Sequence, residues 1–191
     1  MNEALTSLPL GLAIIFSLRI LIPLTIFRWP LWGGLAALII DAADTNIVKP
    51  FGVDIPNYTL TDKYLDTYYL TIELLVSLFW VNRLARNVSI VLYFWRLVGL
   101  MAFQLTGAQY LLFFAPNLFE NFFLFFALLQ KLGKETATGF WLNSPKRLVI
   151  SLFFLWLVKI PQELILHVWK IGSPVETFID QLRKLLNPWH F

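Results

Sequence analysis

Four aspartates carry the clearest chemical signal in the chain. Asp41 and Asp44 are three residues apart, and Asp62 and Asp66 are four apart. Each pair therefore shares one face wherever its segment is helical. Glu73 lies seven positions beyond Asp66 and continues the second face. If the two segments are neighbours, as their modest separation suggests, four carboxylates converge. Ionised carboxylates in a low-dielectric site repel, so protons or a cation must neutralise them. An all-oxygen donor set favours Mg²⁺, Mn²⁺ or Ca²⁺ over zinc or copper. Two such ions orient a phosphate and stabilise the charge that develops during phosphoryl transfer. The bland alternative is four solvated carboxylates at helix ends with no ligand.

The elements that must position these acids are set by an apolar composition. Of 191 residues, 58% are hydrophobic, 17% aromatic and only 14% charged, against roughly 25% charged in soluble domains. That deficit points to lipid as solvent. Cysteine is absent, which excludes disulfides, thiolate metal sites and a cysteine nucleophile. The net charge is +3 with scattered basic residues, so the clustered face of a nucleic-acid binder is missing. Residues 1–7 hold Glu3 and no Lys or Arg, unlike a secretory signal, and the first apolar run is expected to stay as a membrane helix.

A bilayer crossing needs about 20 apolar residues. The apolar runs predict helices over 9–27, 30–44, 61–81, 88–104, 109–130 and 148–169. The second is cut short by Asp41 and Asp44, and Pro116 kinks the fifth. Residues 45–61 and 131–147 read as polar connectors, as does the short run Asn82, Arg83, Arg86, Asn87. Residues 175–187 place apolar side chains at helical spacing and predict a short amphipathic surface helix. The expected fold class is therefore all-α: one domain, a polytopic integral membrane bundle of about six transmembrane helices with a C-terminal amphipathic helix.

Charges within such helices cost about 2.5–3.5 kcal/mol each even on the lenient insertion scale. Arg19, Glu73, Arg96, Glu120, Lys159 and Glu163 all fall in the predicted spans. Arg96 with Glu120, Glu73 with Arg96, or Glu120 with Lys159 are candidate structural pairs that fix helix order. Lys159, Glu163 and His167 lie four apart on one face; they suit either a proton relay or, more simply, a satisfied polar stripe. No Gly-rich phosphate loop and no G-x-S-x-G is present.

The spacing of the acids resembles that of the CDP-alcohol phosphotransferase family, whose motif is D-x-x-D-G-x-x-A-R, eight residues, then G-x-x-x-D-x-x-x-D. The chain reads Asp41-Ala-Ala-Asp44-Thr45-Asn-Ile-Val48-Lys49, eight residues, then Tyr58-Thr-Leu-Thr-Asp62-Lys-Tyr-Leu-Asp66. All four aspartates fall in register over about 26 residues. The resemblance implies six membrane helices and a two-metal site of Asp41, Asp44, Asp62 and Asp66 holding Mg²⁺ or Mn²⁺. It implies Asp66 as the base that deprotonates an acceptor alcohol, with CMP leaving. Thr45 and Lys49 occupy motif positions that line the substrate in the family.

Four motif positions depart. Thr45 and Tyr58 replace glycines, Val48 replaces alanine, and Lys49 replaces arginine. Glycine lets a ligand approach the backbone closely, and lysine keeps arginine's charge without its bidentate fork. The metal set is intact while the nucleotide set is altered, so the expected donor site is a modified one. Expected partners are membrane lipids, a nucleotide-linked or lipid substrate, and a second copy of the chain in a homodimer; the expected location is a prokaryotic plasma membrane. Six crossings set Lys49, Lys63, Lys170, Arg183 and Lys184 against Arg28, Arg83, Arg86, Lys131, Lys134, Lys146 and Arg147. The positive-inside rule favours the larger set as cytoplasmic, the family the other side, and orientation stays open. The alternative function is an inactive scaffold or partner protein of the same fold.

Overall fold

A computed structural model describes residues 2–48, 58–108, 110–133 and 144–163, with side chains described within 13–43, 61–108, 111–112, 114–133 and 144–160. The described residues are helical and contain no strand. The helices are α1 (Asn2–Leu24), α2 (Pro30–Val48), α3 (Tyr58–Ser77), α4 (Arg83–Thr106), α5 (Tyr110–Phe114), α6 (Leu118–Lys131) and α7 (Pro145–Glu163).

Helix α1 turns into α2 through a single 3₁₀ turn, Thr25–Phe27. The Thr25 hydroxyl donates to the Ile22 carbonyl at 2.6 Å, and Pro30 starts α2 where its missing N–H costs nothing. Gly33 makes the turn tight: a Cβ there would lie 2.6 Å from the backbone nitrogen of Ile26. Helices α1 and α2 are thus held side by side. Helix α3 closes against α1, with the Tyr68 hydroxyl donating to the Ile20 carbonyl at 3.1 Å.

Several boundaries differ from those that apolarity predicts. The polar run at 82–87 is the start of α4, because Asn82 is its N-cap and accepts from the Ala85 N–H at 3.0 Å. Gly107, at φ 70°, ends the same helix in the left-handed region. The expected kink at Pro116 is a full break between α5 and α6. Proline removes a donor and disfavours helix at the preceding residue, and Arg96 donates to the freed Ala115 carbonyl at 2.8 Å. Helices α1, α2 and α3 run past their apolar runs into polar residues, and α3 stops four residues short of the predicted end. Residues 164–169 and the amphipathic segment 175–187 lie outside the described residues.

Among the described residues many outward faces are apolar, and a mainly apolar interior also encloses several charged and polar side chains. Outer faces carry Leu21, Ile39, Val91, Val98, Met101, Leu105, Phe154 and Val158, all more than half exposed. The interior buries Arg19, Glu73, Ser77, Ser89, Arg96, Glu120 and Lys159. Between them sits a core of Phe119, Phe122, Phe123 and Phe126, with Trp80 stacked on Phe123 at 5.5 Å. Among the described residues α4 is the one helix both long and apolar enough to cross a membrane; the apolar stretches Ala13–Phe27 and Pro30–Ala43 are shorter.

Gly99 marks the closest approach of α4 to the α5–α6 break, since a Cβ there would overlap that of Ala115. Gly99→Val is expected to destabilise the protein by about 1–3 kcal/mol through overpacking, whereas Met101→Ala on the outer face should stay within about 0.5 kcal/mol. Thermal melts in detergent check the contrast.

Candidate metal and phosphate site

The aspartates meet where α1, α2 and α3 adjoin. Asp41 comes from the middle of α2, and Asp62 and Asp66 from successive turns at the start of α3. One oxygen from each lies within 4.8 Å of the other two. The expected convergence is therefore found for these three. The side chains of Asp44 and Thr45, and all of Lys49, lie outside the described residues.

At the centre of the three acids is the guanidinium of Arg19 from α1. It donates from Nη1 to Asp62 Oδ1 at 2.7 Å, from Nη2 to Asp66 Oδ1 at 2.7 Å, and from Nη2 to Asp41 Oδ1. Its side chain is only 3% exposed. Lys63 closes the open side, with Nζ 2.8 Å from Asp62 Oδ2 and 3.0 Å from Asp66 Oδ2. Three carboxylates thus face two cations of the chain, leaving one formal negative charge among the described side chains. A planar guanidinium suits this task because its donors diverge in a fixed fan.

Hard carboxylate oxygens this close together fit a divalent cation in donor type and spacing. Both oxygens of Asp62 and Asp66 are, however, already bonded to Arg19 or Lys63. A metal ion at this point must therefore share those oxygens with Arg19 or displace it. Beside the cluster a small cavity, about large enough for one water, is lined by Lys63, Asp66, Thr67, Tyr93, Arg96 and leucines.

Beyond Asp66 the same face of α3 carries Tyr69, Glu73 and Ser77, all buried. This polar stripe extends about 22 Å from Asp62 to Ser77 at 1.5 Å per residue. The Tyr69 hydroxyl donates to Glu120 Oε1 at 2.7 Å, and Asn117 Nδ2 donates to Glu120 Oε2 at 3.0 Å. Lys159 reaches Glu120 Oε2 at 3.7 Å. Of the candidate pairs, Glu120 with Lys159 forms. Among the described residues Arg96 forms no ion pair with Glu73 or Glu120; its Nη1 donates to the Ala115 carbonyl at 2.8 Å. The side chain of Glu163, and all of His167, lie outside the described residues.

Arg19 is legible in the sequence as a costly charge, but nothing in its spacing ties it to the acids. The available signal is that residues 4–27 hold no other charge, so its counter-charges had to come from another helix. Lys63 reads as an ordinary interfacial lysine until α3 winds it beside both acids. No family model, curated protein or solved structure matches the chain.

Removing the central cation should leave three carboxylates facing one another. Arg19→Ala is expected to cost about 3–5 kcal/mol. Adding Asp41→Asn to Arg19→Ala should recover part of that loss, with a coupling of about 0.5–3 kcal/mol in the double-mutant cycle, read by denaturant titration in micelles. Additive losses would contradict the clasp.

Proposed function

We propose that the protein is a membrane-embedded, divalent-metal-dependent phosphotransferase similar to the CDP-alcohol phosphotransferases, acting on a lipid or polyol acceptor. The observation that carries this reading is the convergence of Asp41, Asp62 and Asp66 from two helices, in the register of that family's motif. The apolar exterior and charged interior support the membrane setting, since a bundle solvated by lipid has to turn its polar groups inward.

In this reading Mg²⁺ or Mn²⁺, held by Asp41, Asp62 and Asp66 together with Asp44, supplies charge neutralisation for the transferring phosphate. The residues of the chain do the rest. Asp66 takes the proton of the acceptor hydroxyl, whose oxygen then bonds to phosphorus as the bond from phosphorus to the donor's leaving-group oxygen breaks. Lys63 offers a second positive charge at the mouth of the site, and Lys49 one at the position of the motif arginine. Thr45 and Tyr58, where the family has glycine, reshape the donor site, so the donor is a nucleotide-linked or lipid phosphate altered from the usual CDP-alcohol.

One observation favours a second reading. Arg19 and Lys63 already bond the acid oxygens that metal would use. In an inactive scaffold of the same architecture the acids would hold α1, α2 and α3 together and nothing more.

The two readings part on one experiment. Purified protein is incubated with Mg²⁺ or Mn²⁺ and a panel of CDP-linked and lipid-phosphate donors with alcohol acceptors. The enzyme reading expects metal-dependent release of the leaving group, reduced about 10²–10⁴-fold by Asp66→Asn. No turnover together with no metal-dependent thermal shift would leave the scaffold.

A further inference from the structure

Glu73 stands apart from the acid cluster and from every ion pair described above. It is fully buried, at 0% exposure, and neither carboxyl oxygen has a hydrogen-bond partner. Gly34 of α2 faces it: a Cβ added there would lie 3.2 Å from Glu73 Oε1, 2.8 Å from Leu124 Cδ2 and 3.4 Å from Phe123 Cε1. Helix α2 carries glycine at the point where α3 presents this group.

The charges around it are spoken for. On α6, Glu120 accepts from Tyr69 and Asn117 and faces Lys159 of α7. On α4, Tyr93 is hydrogen-bonded to Thr71 at 2.7 Å and Arg96 donates to Ala115. Tyr69, one turn before Glu73 on α3, is directed to Glu120. Ser77, one turn after, donates to the Leu74 carbonyl at 2.7 Å. An ionised Glu73 would be a second buried carboxylate in the interior that holds Glu120, with no donor of its own, which is strongly disfavoured. A bound metal ion would relieve the charge but needs several oxygen ligands, and the side chains that meet Gly34 alongside Glu73 are the hydrocarbons Phe123 and Leu124. A proton needs one oxygen.

The geometry points to Glu73 as a proton-binding site: a carboxylic acid held in its neutral form within the α2–α3–α6 interface, separate from the aspartates. The same stripe of α3 that bears Asp66 thus bears a proton store two turns further in. Gly34 provides the space, and the buried Lys159 of α7 faces Glu120.

Infrared spectroscopy of the full chain in detergent at neutral pH tests this directly. The wild type should show the carbonyl stretch of a protonated carboxylic acid, shifted on deuterium exchange. That band should vanish in Glu73→Gln, which copies the neutral acid and should melt within a few degrees of wild type. Gly34→Ala, which presses on Oε1, should move the band without removing it. Melting temperature should be equal in sodium and choline chloride. A wild type without the band, a band that survives Glu73→Gln, a band unmoved by Gly34→Ala, or a sodium-dependent stabilisation lost in Glu73→Gln would each overturn the assignment.

Discussion

The arrangement of the first three helices depends on the contact between the Arg19 guanidinium and the carboxylates of Asp41, Asp62 and Asp66. Neither side of this contact is tolerable alone. A single buried arginine in an apolar helix lacks a counter-charge, and three facing carboxylates repel. Together they form a clasp that fixes the level at which α1, α2 and α3 meet, and the tight turn at Gly33 leaves α1 and α2 little freedom to slide. Replacement of such a cluster by well-packed hydrocarbon is often neutral or stabilising. Stability alone therefore does not account for charge at this position.

The clasp also frames the functional question. A guanidinium and a divalent cation are alternative answers to the same electrostatic problem, since each places positive charge among three carboxylates. Among the described side chains, Arg19 and Lys63 leave Asp41, Asp62 and Asp66 one formal charge from neutrality. A phosphate-bearing substrate entering with metal would bring its own negative charge and leave Arg19 a new acceptor. In the proposed enzyme Arg19 would then be a partner for the substrate rather than a bar to it. The charged interior reaches beyond this point, through Tyr69 and Glu120 to Lys159, and the apolar exterior encloses all of it.

Much of the fold was legible because apolar runs and polar breaks are strong signals, and the helical class follows from them. The boundaries were less so. Asn82 reads as the middle of a polar connector although it caps α4, since capping is a local geometric role that composition hides. Pro116 announces a disturbance but not its size, and the Arg96 donor that meets the Ala115 carbonyl there comes from another helix. The convergence of Asp41, Asp62 and Asp66 was legible through helical spacing plus adjacency of α2 and α3. Arg19 in their midst was not, because spacing within one helix says nothing about which residue of another lies at the same depth. Glu73 could be placed on the α3 face by its seven-residue offset, while its isolation could be seen only in three dimensions.

Manganese binding followed by electron paramagnetic resonance tests the central claim most directly, because Mn²⁺ bound to protein loses the sharp signal of the hydrated ion. With protein in excess, the wild type should quench the free-ion signal, and Asp62→Asn should restore it while remaining folded. Arg19→Lys, a more compact cation with no guanidinium fork, should bind Mn²⁺ at least as tightly as wild type. An undiminished free-ion signal with folded wild-type protein would contradict the account, and the three aspartates would then be a structural clasp alone.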